Sequence, residues 1–207
     1  MTRPAIRPAQ LLAIAILIAA GGCSLLAPQP DPTRFYLLTA IEDPPSEPAG
    51  SGAGISLGLG PVRFPEYVDR PEVVIRTSRN QVKLSPIDRW AEPVMSGFKR
   101  VLADNLGKLL RTERILQFPW YRGAKLDYRV HAAVQRFDSD PQGTAVLIVR
   151  WGVKGPNREA YGDVRESRYE SRGSAADPGA DAGNLSEVLA SFSRDIAKAL
   201  LQLEKSR

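Results

Sequence analysis

Apolar residues recur along this chain with two periods. Between residues 94 and 110, Val94, Phe98, Val101, Leu102, Leu106, Leu109 and Leu110 return at helical spacing. Lys99, Arg100, Asp104, Asn105 and Lys108 fall mostly on the other side, the pattern of an amphipathic helix with one buried face. A second stripe near the end of the chain comprises Leu185, Val188, Leu189, Phe192, Ile196, Leu200 and Leu203. Asn184 and Glu187 precede and open it at the spacing of a capping box. Elsewhere the period is two. Leu126, Tyr128, Val130, Ala132 and Val134 alternate with Asp127, Arg129, His131 and Gln135, and Ala145, Leu147, Val149, Trp151 and Val153 form a second alternating set. Residues 138–143 join the two as an antiparallel connection. Residues 159–171 read as a third, more polar strand, exposed on one face or at an edge.

Shorter runs complete the pattern. Aromatic and branched residues predict strands at 34–39, 55–59 and 114–118, the second closed by Gly60-Pro61. Residues 73–77 and 81–84 read as a hairpin turned at Ser78-Arg79-Asn80. Ser85, Pro86 and Asp88 read as an opening helical turn, which Pro93 separates from the main helix. Residues 42–54, with Pro44, Pro45, Pro48, Gly50, Gly52 and Gly54, predict a loop, as do residues 173–183. The fold class that follows is α+β. A single domain over residues 34–207 forms a two-layer sandwich, with a mostly antiparallel sheet and both long helices packed on one face.

The first 22 residues break both periods. Arg3 and Arg7 precede an apolar run from Leu11 to Ala20, then Gly21-Gly22 and Cys23. A basic start, a short apolar stretch and small residues make an export signal. The run is shorter than the ~20 residues that span a bilayer. The only cysteine of the chain follows directly, which looks like a bacterial lipobox, with Ala at position 20 where Leu is usual. That reading makes residues 1–22 a cleaved lipoprotein signal peptide and Cys23 the lipid attachment site. Residues 23–33, with Pro28, Pro30 and Pro32, become an extended tether reaching roughly 30 Å. Several acyl chains on one residue anchor stably, at ~0.8 kcal/mol per buried CH₂.

Composition then narrows the chemistry. The signal segment carries two arginines and no acid, so its removal lowers the net charge from +5 to +3, too little to mark a nucleic-acid binder. With Cys23 acylated, no thiol remains for a disulfide or metal cluster, and the fold rests on its apolar core. His131 is the only histidine and reads as a solvated strand position. Asp138 and Asp140, beside Pro141, read as turn-setting residues. Arg165, Arg168 and Arg172, interleaved with Tyr161 and Tyr169, are offset by Asp163, Glu166 and Glu170 and read as a solvated face. No catalytic group, metal ligand set or cofactor motif emerges. A periplasmic hydrolase is the weakest of the function classes.

One polar constellation stands out. It runs Gly60-Pro61-Val62, Pro65, Tyr67, Asp69-Arg70-Pro71, Val74, Arg76, Leu84 and Arg89-Trp90-Ala91-Glu92-Pro93, then Arg100-Val101-Leu102-Ala103 and Asn105-Leu106. With the Phe35-Tyr36-Leu37 strand after the lipobox, this spacing resembles the PqiC-type ABC-transport auxiliary lipoproteins (membrane integrity-associated transporter subunits) over residues 33–203. The resemblance implies a non-enzymatic accessory subunit of an MCE-type intermembrane lipid transport system. The subunit would be anchored in the outer membrane and face the periplasm, with an MCE-domain protein and further copies of itself as partners. Ser24, after Cys23, fits that destination. The alternative is a lipoprotein of outer-membrane assembly or stability that carries no lipid. Asp69, Arg70, Arg76, Arg89 and Trp90 are the candidate partner contacts. The same residues also fit a structural reading in which Asp69 or Glu92 pairs with Arg70, Arg76 or Arg89 and Trp90 covers the start of the helix.

Cys23→Ser is expected to leave an unprocessed precursor that takes up no labelled fatty acid. Continued cleavage and membrane partitioning of the variant would contradict the lipobox reading.

Overall fold

A computed structural model describes residues 30–42, 54–121, 123–155, 164–173 and 178–206. The signal segment, Cys23 and residues 24–29 of the expected tether, residues 43–53 of the Pro/Gly-rich stretch, and residues 122, 156–163, 174–177 and 207 lie outside the described residues. The chain divides into two compact units, Met1–Pro32 and Thr33–Arg207. The second contains every element discussed below.

Its sheet is built around one long strand. The strand in chain order that we label β6 (Tyr128–Ser139) pairs along its whole length with antiparallel β7 (Thr144–Lys154), from Arg129↔Lys154 to Ser139↔Ala145. β8 (Arg165–Arg172) continues outward from β7, also antiparallel. On its other side β6 serves two arms. Its first half pairs in parallel with β2 (Leu57–Arg63), which in turn carries β5 (Ile115–Gln117). Its last residue, Ser139, meets Ile75 of β3 (Glu72–Ser78); β3 pairs with β4 (Gln81–Trp90), and β4 with β1 (Arg34–Tyr36).

The mostly antiparallel sheet expected from the sequence is therefore corrected to a mixed one. Among the described residues, four of the seven strand pairings are parallel: β1 with β4, β2 with β5, β2 with β6 and β3 with β6. Each parallel partner is separated by intervening elements, so nothing in the local alternation announces it. The two expected hairpins, β3–β4 and β6–β7, are both present.

The two helices share one core. α1 (Val94–Leu110) buries Val94, Phe98, Val101, Leu102, Leu106 and Leu110. α2 (Pro178–Lys205) buries Leu185, Val188, Leu189, Phe192, Ile196 and Leu200. Phe98 stands edge-on to Phe137 of β6 at 5.3 Å, and Phe192 edge-on to Trp151 of β7 at 5.7 Å. Leu147, two pleats before Trp151 on β7, pairs with Phe137, so these two sheet residues share a face. Both helices thus cover the same side of β6 and β7, as their stripes predict.

Three local expectations change. Ser85, Pro86 and Asp88 belong to β4, where the strand is irregular, and form no helical turn. The Ser85 hydroxyl still accepts the Asp88 N–H at 3.0 Å, the bond a helix cap would make. α2 begins at Pro178, so Asn184 is not its cap; Asn184 Nδ2 instead donates to the Gly143 carbonyl across to the β6–β7 turn. The strand expected at 55–59 continues past Gly60-Pro61 to Arg63.

Phe98 and Phe192 are each fully buried. Truncating either to Ala is expected to lower unfolding free energy by ~3–5 kcal/mol. Denaturant unfolding measures this, and an unchanged midpoint in both variants would contradict the shared core.

Candidate functional site

Two of the expected contact segments meet where α1 starts. Trp90 N–H donates to the Pro71 carbonyl at 2.7 Å, drawing the end of β4 against the segment before β3. Between them lies a concave pocket of about 300 Å³, with Asp69, Arg70 and Pro71 on one wall and Trp90, Ala91, Glu92 and Pro93 on the other. The apolar part comes from Trp90 and the two prolines. Trp90 is itself 7% exposed, so it acts as the floor of the pocket more than as a projecting anchor.

The charges around the pocket are unequally engaged. Asp69 Oδ1 accepts the Met95 N–H at 3.3 Å. This satisfies one free donor of the first turn of α1, whose N-cap, Pro93, offers no side chain for the task. Glu92 pairs with Arg100, which also donates to the Leu38 carbonyl at 3.2 Å. The hydrogen bond to Glu92 holds the Arg100 guanidinium above its ordinary pKa. Gly97 leaves the room this carboxylate needs, since a Cβ there would stand 3.0 Å from Glu92 Oε1. Arg70 is exposed, and among the described residues its guanidinium has no ion-pair partner. The pocket therefore offers a fixed apolar floor, two occupied carboxylates and one available cation.

Arg76 and Arg89 do not join it. Arg89 lies 3.8 Å from Glu72 across the β3–β4 pair, an exposed contact of little energetic weight. Arg76 turns the other way, to Asp138. That carboxylate is 1% exposed and takes bonds from Arg76 Nε at 3.0 Å, Arg76 Nη2 at 2.9 Å, Arg136 Nε at 2.7 Å and the Tyr67 hydroxyl at 2.9 Å. The partners considered for Arg76 and Arg89 in the sequence are thus replaced by Asp138 and Glu72. The turn reading of Asp138 is also corrected. Asp140 does set the turn, accepting the Gln142 and Thr144 N–H groups at 3.0 and 2.8 Å. Asp138 is the anion of a buried cluster, and its removal would strand two cations at a cost of ~3–5 kcal/mol.

The remaining polar candidates have structural surroundings. The His131 ring is half-buried against Gly152, where a Cβ would stand 2.7 Å from Cε1, and burial lowers its pKa. On β8, Arg165 stacks over Trp151 at 4.9 Å, Ser167 accepts the Trp151 indole N–H at 3.0 Å, and the Tyr169 hydroxyl donates to Asp195 at 2.8 Å. No group of three or more metal-ligating side chains occurs among the described residues. Sequence reasoning passed over one feature, the Phe118-Pro119-Trp120-Tyr121 run, which stands on the surface after β5. Four ring-bearing residues in succession were the signal for it.

The sequence of residues 36–197 matches the model of the ABC-type transport auxiliary lipoprotein component. The chain belongs to that family. Solved structures agree in fold. Protein XCC0632 from Xanthomonas campestris superposes with a TM-score of 0.69 at 16% identity, covering 84% of this chain and 99% of its own. An uncharacterised protein gives 0.65 at 18% identity, covering 81% and 98%. None of the curated proteins compared with the chain matches it. Membership makes the protein an auxiliary lipoprotein component of ABC-type transport and is consistent with membrane anchoring. In this auxiliary lipoprotein the matched segment includes both walls of the pocket and the Asp138 cluster.

Burial and the neighbouring Asp138 charge push the Tyr67 hydroxyl pKa up to about 12 from an ordinary 10.0. Below pH 10 both the folded and unfolded chains keep this proton. Between pH 10 and about 12 only the folded chain does, so its contribution to stability falls as pH rises. Tyr67→Phe is expected to be less stable at pH 7, from lost hydrogen bonds, yet to lose stability less steeply above pH 10. Urea unfolding across that range measures both effects. Tyr169, also pushed up by burial, keeps part of the slope in the variant.

Proposed function

We propose that the protein is a periplasm-facing outer-membrane lipoprotein, acylated at Cys23, that serves as the accessory subunit of an MCE-type intermembrane lipid transport system. It works by binding, without turnover. Its partner is the MCE-domain protein of the same system, docked at the pocket between Asp69-Arg70-Pro71 and Trp90-Ala91-Glu92-Pro93. The observation that carries this reading is the family match over residues 36–197, which joins a lipoprotein to a transporter.

The pocket supports the choice of contact. Its floor is apolar and held by main-chain bonds at Pro71 and Trp90. A preformed surface loses little conformational freedom on docking. Trp and Arg are the residue types that most often anchor interfaces, and Arg70 is available to an acidic group on the partner. The Asp138 cluster, through Tyr67, holds the segment that leads to this surface, while Arg76 and Arg89 lie outside the pocket lining.

Arg70→Glu is expected to weaken binding of the MCE partner by about tenfold with the melting temperature unchanged. Trp90→Ala, which opens the floor, is expected to lower both. Normal binding by Arg70→Glu would remove the pocket from the interface. A protein that binds no MCE partner at micromolar concentration, from a strain whose membrane barrier does not need it, would favour a lipoprotein of outer-membrane assembly or stability.

A further inference from the structure

A second surface lies on the sheet face turned away from the helices. Leu57 and Leu59 of β2 point into the core, so Gly58 between them points outward. Gly58 pairs with Leu116 of β5 on one side and Arg129 of β6 on the other. Trp120 lies over Gly58: a Cβ there would stand 2.8 Å from the indole and 2.6 Å from Leu126. The glycine is what lets the ring lie on the sheet.

The rest of the run is fixed around this ring. Trp120 Nε1 donates to the Leu116 carbonyl at 3.0 Å, Phe118 stands edge-on to Trp120 at 5.3 Å, and Phe118 N–H donates to the Leu59 carbonyl at 2.9 Å. Phe118 Cβ lies over Gly60, 2.7 Å from where a Cβ would be. Around these fixed rings, large apolar side chains remain in solvent: Tyr121 is 69% exposed, Phe118 49% and Leu116 36%.

Cations surround the ledge. The Arg129 guanidinium stacks 5.8 Å from the centre of the Trp120 ring. Exposed Arg114 and Lys125 flank the start of β2, where Arg114 Nη1 donates to the Gly54 carbonyl and the Lys125 carbonyl accepts the Ser56 hydroxyl. The nearby Asp127 carboxylate is engaged by the Ser56 N–H and hydroxyl, which donate to it at 2.8 and 2.7 Å. Glu113 is the adjacent acid and lines the groove at the end of α1.

We propose that this ledge of Leu116, Phe118, Trp120 and Tyr121, with Arg114, Lys125 and Arg129 around it, is a contact for an anionic phospholipid bilayer. Indole and phenol rings settle at the headgroup level, their apolar bodies toward the acyl chains and polar edges toward water. Arginine and lysine beside them gain from anionic headgroups. The Trp120 and Phe118 rings are held on the sheet before they meet the surface. The acyl anchor of the functional reading, on which this last point rests, would keep the domain within roughly 30 Å of a bilayer. A contact of low intrinsic affinity is then occupied, and it orients the domain on the membrane.

The test is Trp120 fluorescence in the full-length chain reconstituted into vesicles of phosphatidylcholine with phosphatidylglycerol, using brominated lipids as quenchers. Trp90 and Trp151 are buried, so the bromine-dependent loss of emission is expected to vanish in Trp120→Phe. It is also expected to weaken at high salt, and by several-fold in Tyr121→Ser combined with Lys125→Glu, both exposed positions. Equal quenching in wild type and Trp120→Phe overturns the proposal, however the chain is held to the vesicle. So does a ledge that lipid leaves unquenched and whose emission shifts only when another envelope protein is added. Loss of fatty-acid labelling alone would instead count against the anchor.

Discussion

Strand β6 has to satisfy three neighbours at once. Along its outer edge it holds β7, and along its inner edge it holds β2 and then β3. One of its faces presents Tyr128, Val130, Ala132, Val134 and Phe137 to the core, and the other carries Arg129, His131, Arg136 and Asp138. The irregularity between Val134 and Arg136 keeps Phe137 inward and Asp138 outward, which neither alternation nor pairing alone would ensure. Phe137 then receives Phe98 of α1, while Asp138 gathers Tyr67, Arg76 and Arg136. The same strand therefore seats a helix on one side and fixes the segment leading to β3 on the other. That segment contains Asp69, Arg70 and Pro71, so the pocket depends on β6 through the Asp138 cluster.

The parts of this arrangement that repeat within a few residues were legible in the sequence. The stripes of α1 and α2 and the alternation of β6 and β7 are such repeats, and each element is present over them, with α2 starting at Pro178, ahead of its stripe. Parallel pairing was not legible, because β2 meets β5 only after β3, β4 and α1 have intervened. Ser85 was misread because a hydroxyl accepting an N–H three residues on looks the same in a helix cap and in an irregular strand. Asn184 was misread because an in-helix residue can use the same amide to reach the Gly143 carbonyl. The site was half legible. The spacing of the segments around Asp69-Arg70-Pro71 and Arg89–Pro93, with the family resemblance it carries, brought Asp69, Arg70 and Trp90 to notice, and the structure places those three residues around one pocket. Arg76 shares their neighbourhood in sequence but not in space, and Asp138, its partner, was hidden by the turn residues beside it.

A division of labour follows from these placements. The Asp138 cluster and the helix-facing core hold the frame. The pocket, with Arg70 at its rim, is the part whose chemistry is left unspent by the fold. Its floor is continuous with the entry to α1 through Pro93 and the Asp69–Met95 bond, so a docked partner would rest on a first turn already fixed in place. Beside the β2–β5 pair, the Trp120 ledge offers a contact of different chemistry, apolar and cationic, suited to a bilayer surface. The two proposed contacts, one for a protein partner and one for a bilayer, thus rest on different elements of the fold.

The claim at the centre of this account is that the Arg70–Trp90 pocket faces a transport partner. Photocrosslinking in intact cells tests it directly, with a photoreactive residue installed in place of Arg70 or Ala91 and, for comparison, in place of Arg168 on β8. The account predicts an adduct with an MCE-domain protein from the first two positions and not from the third. Adducts of equal yield from all three, or none from Arg70 and Ala91 under conditions where the protein is correctly localised, would contradict it.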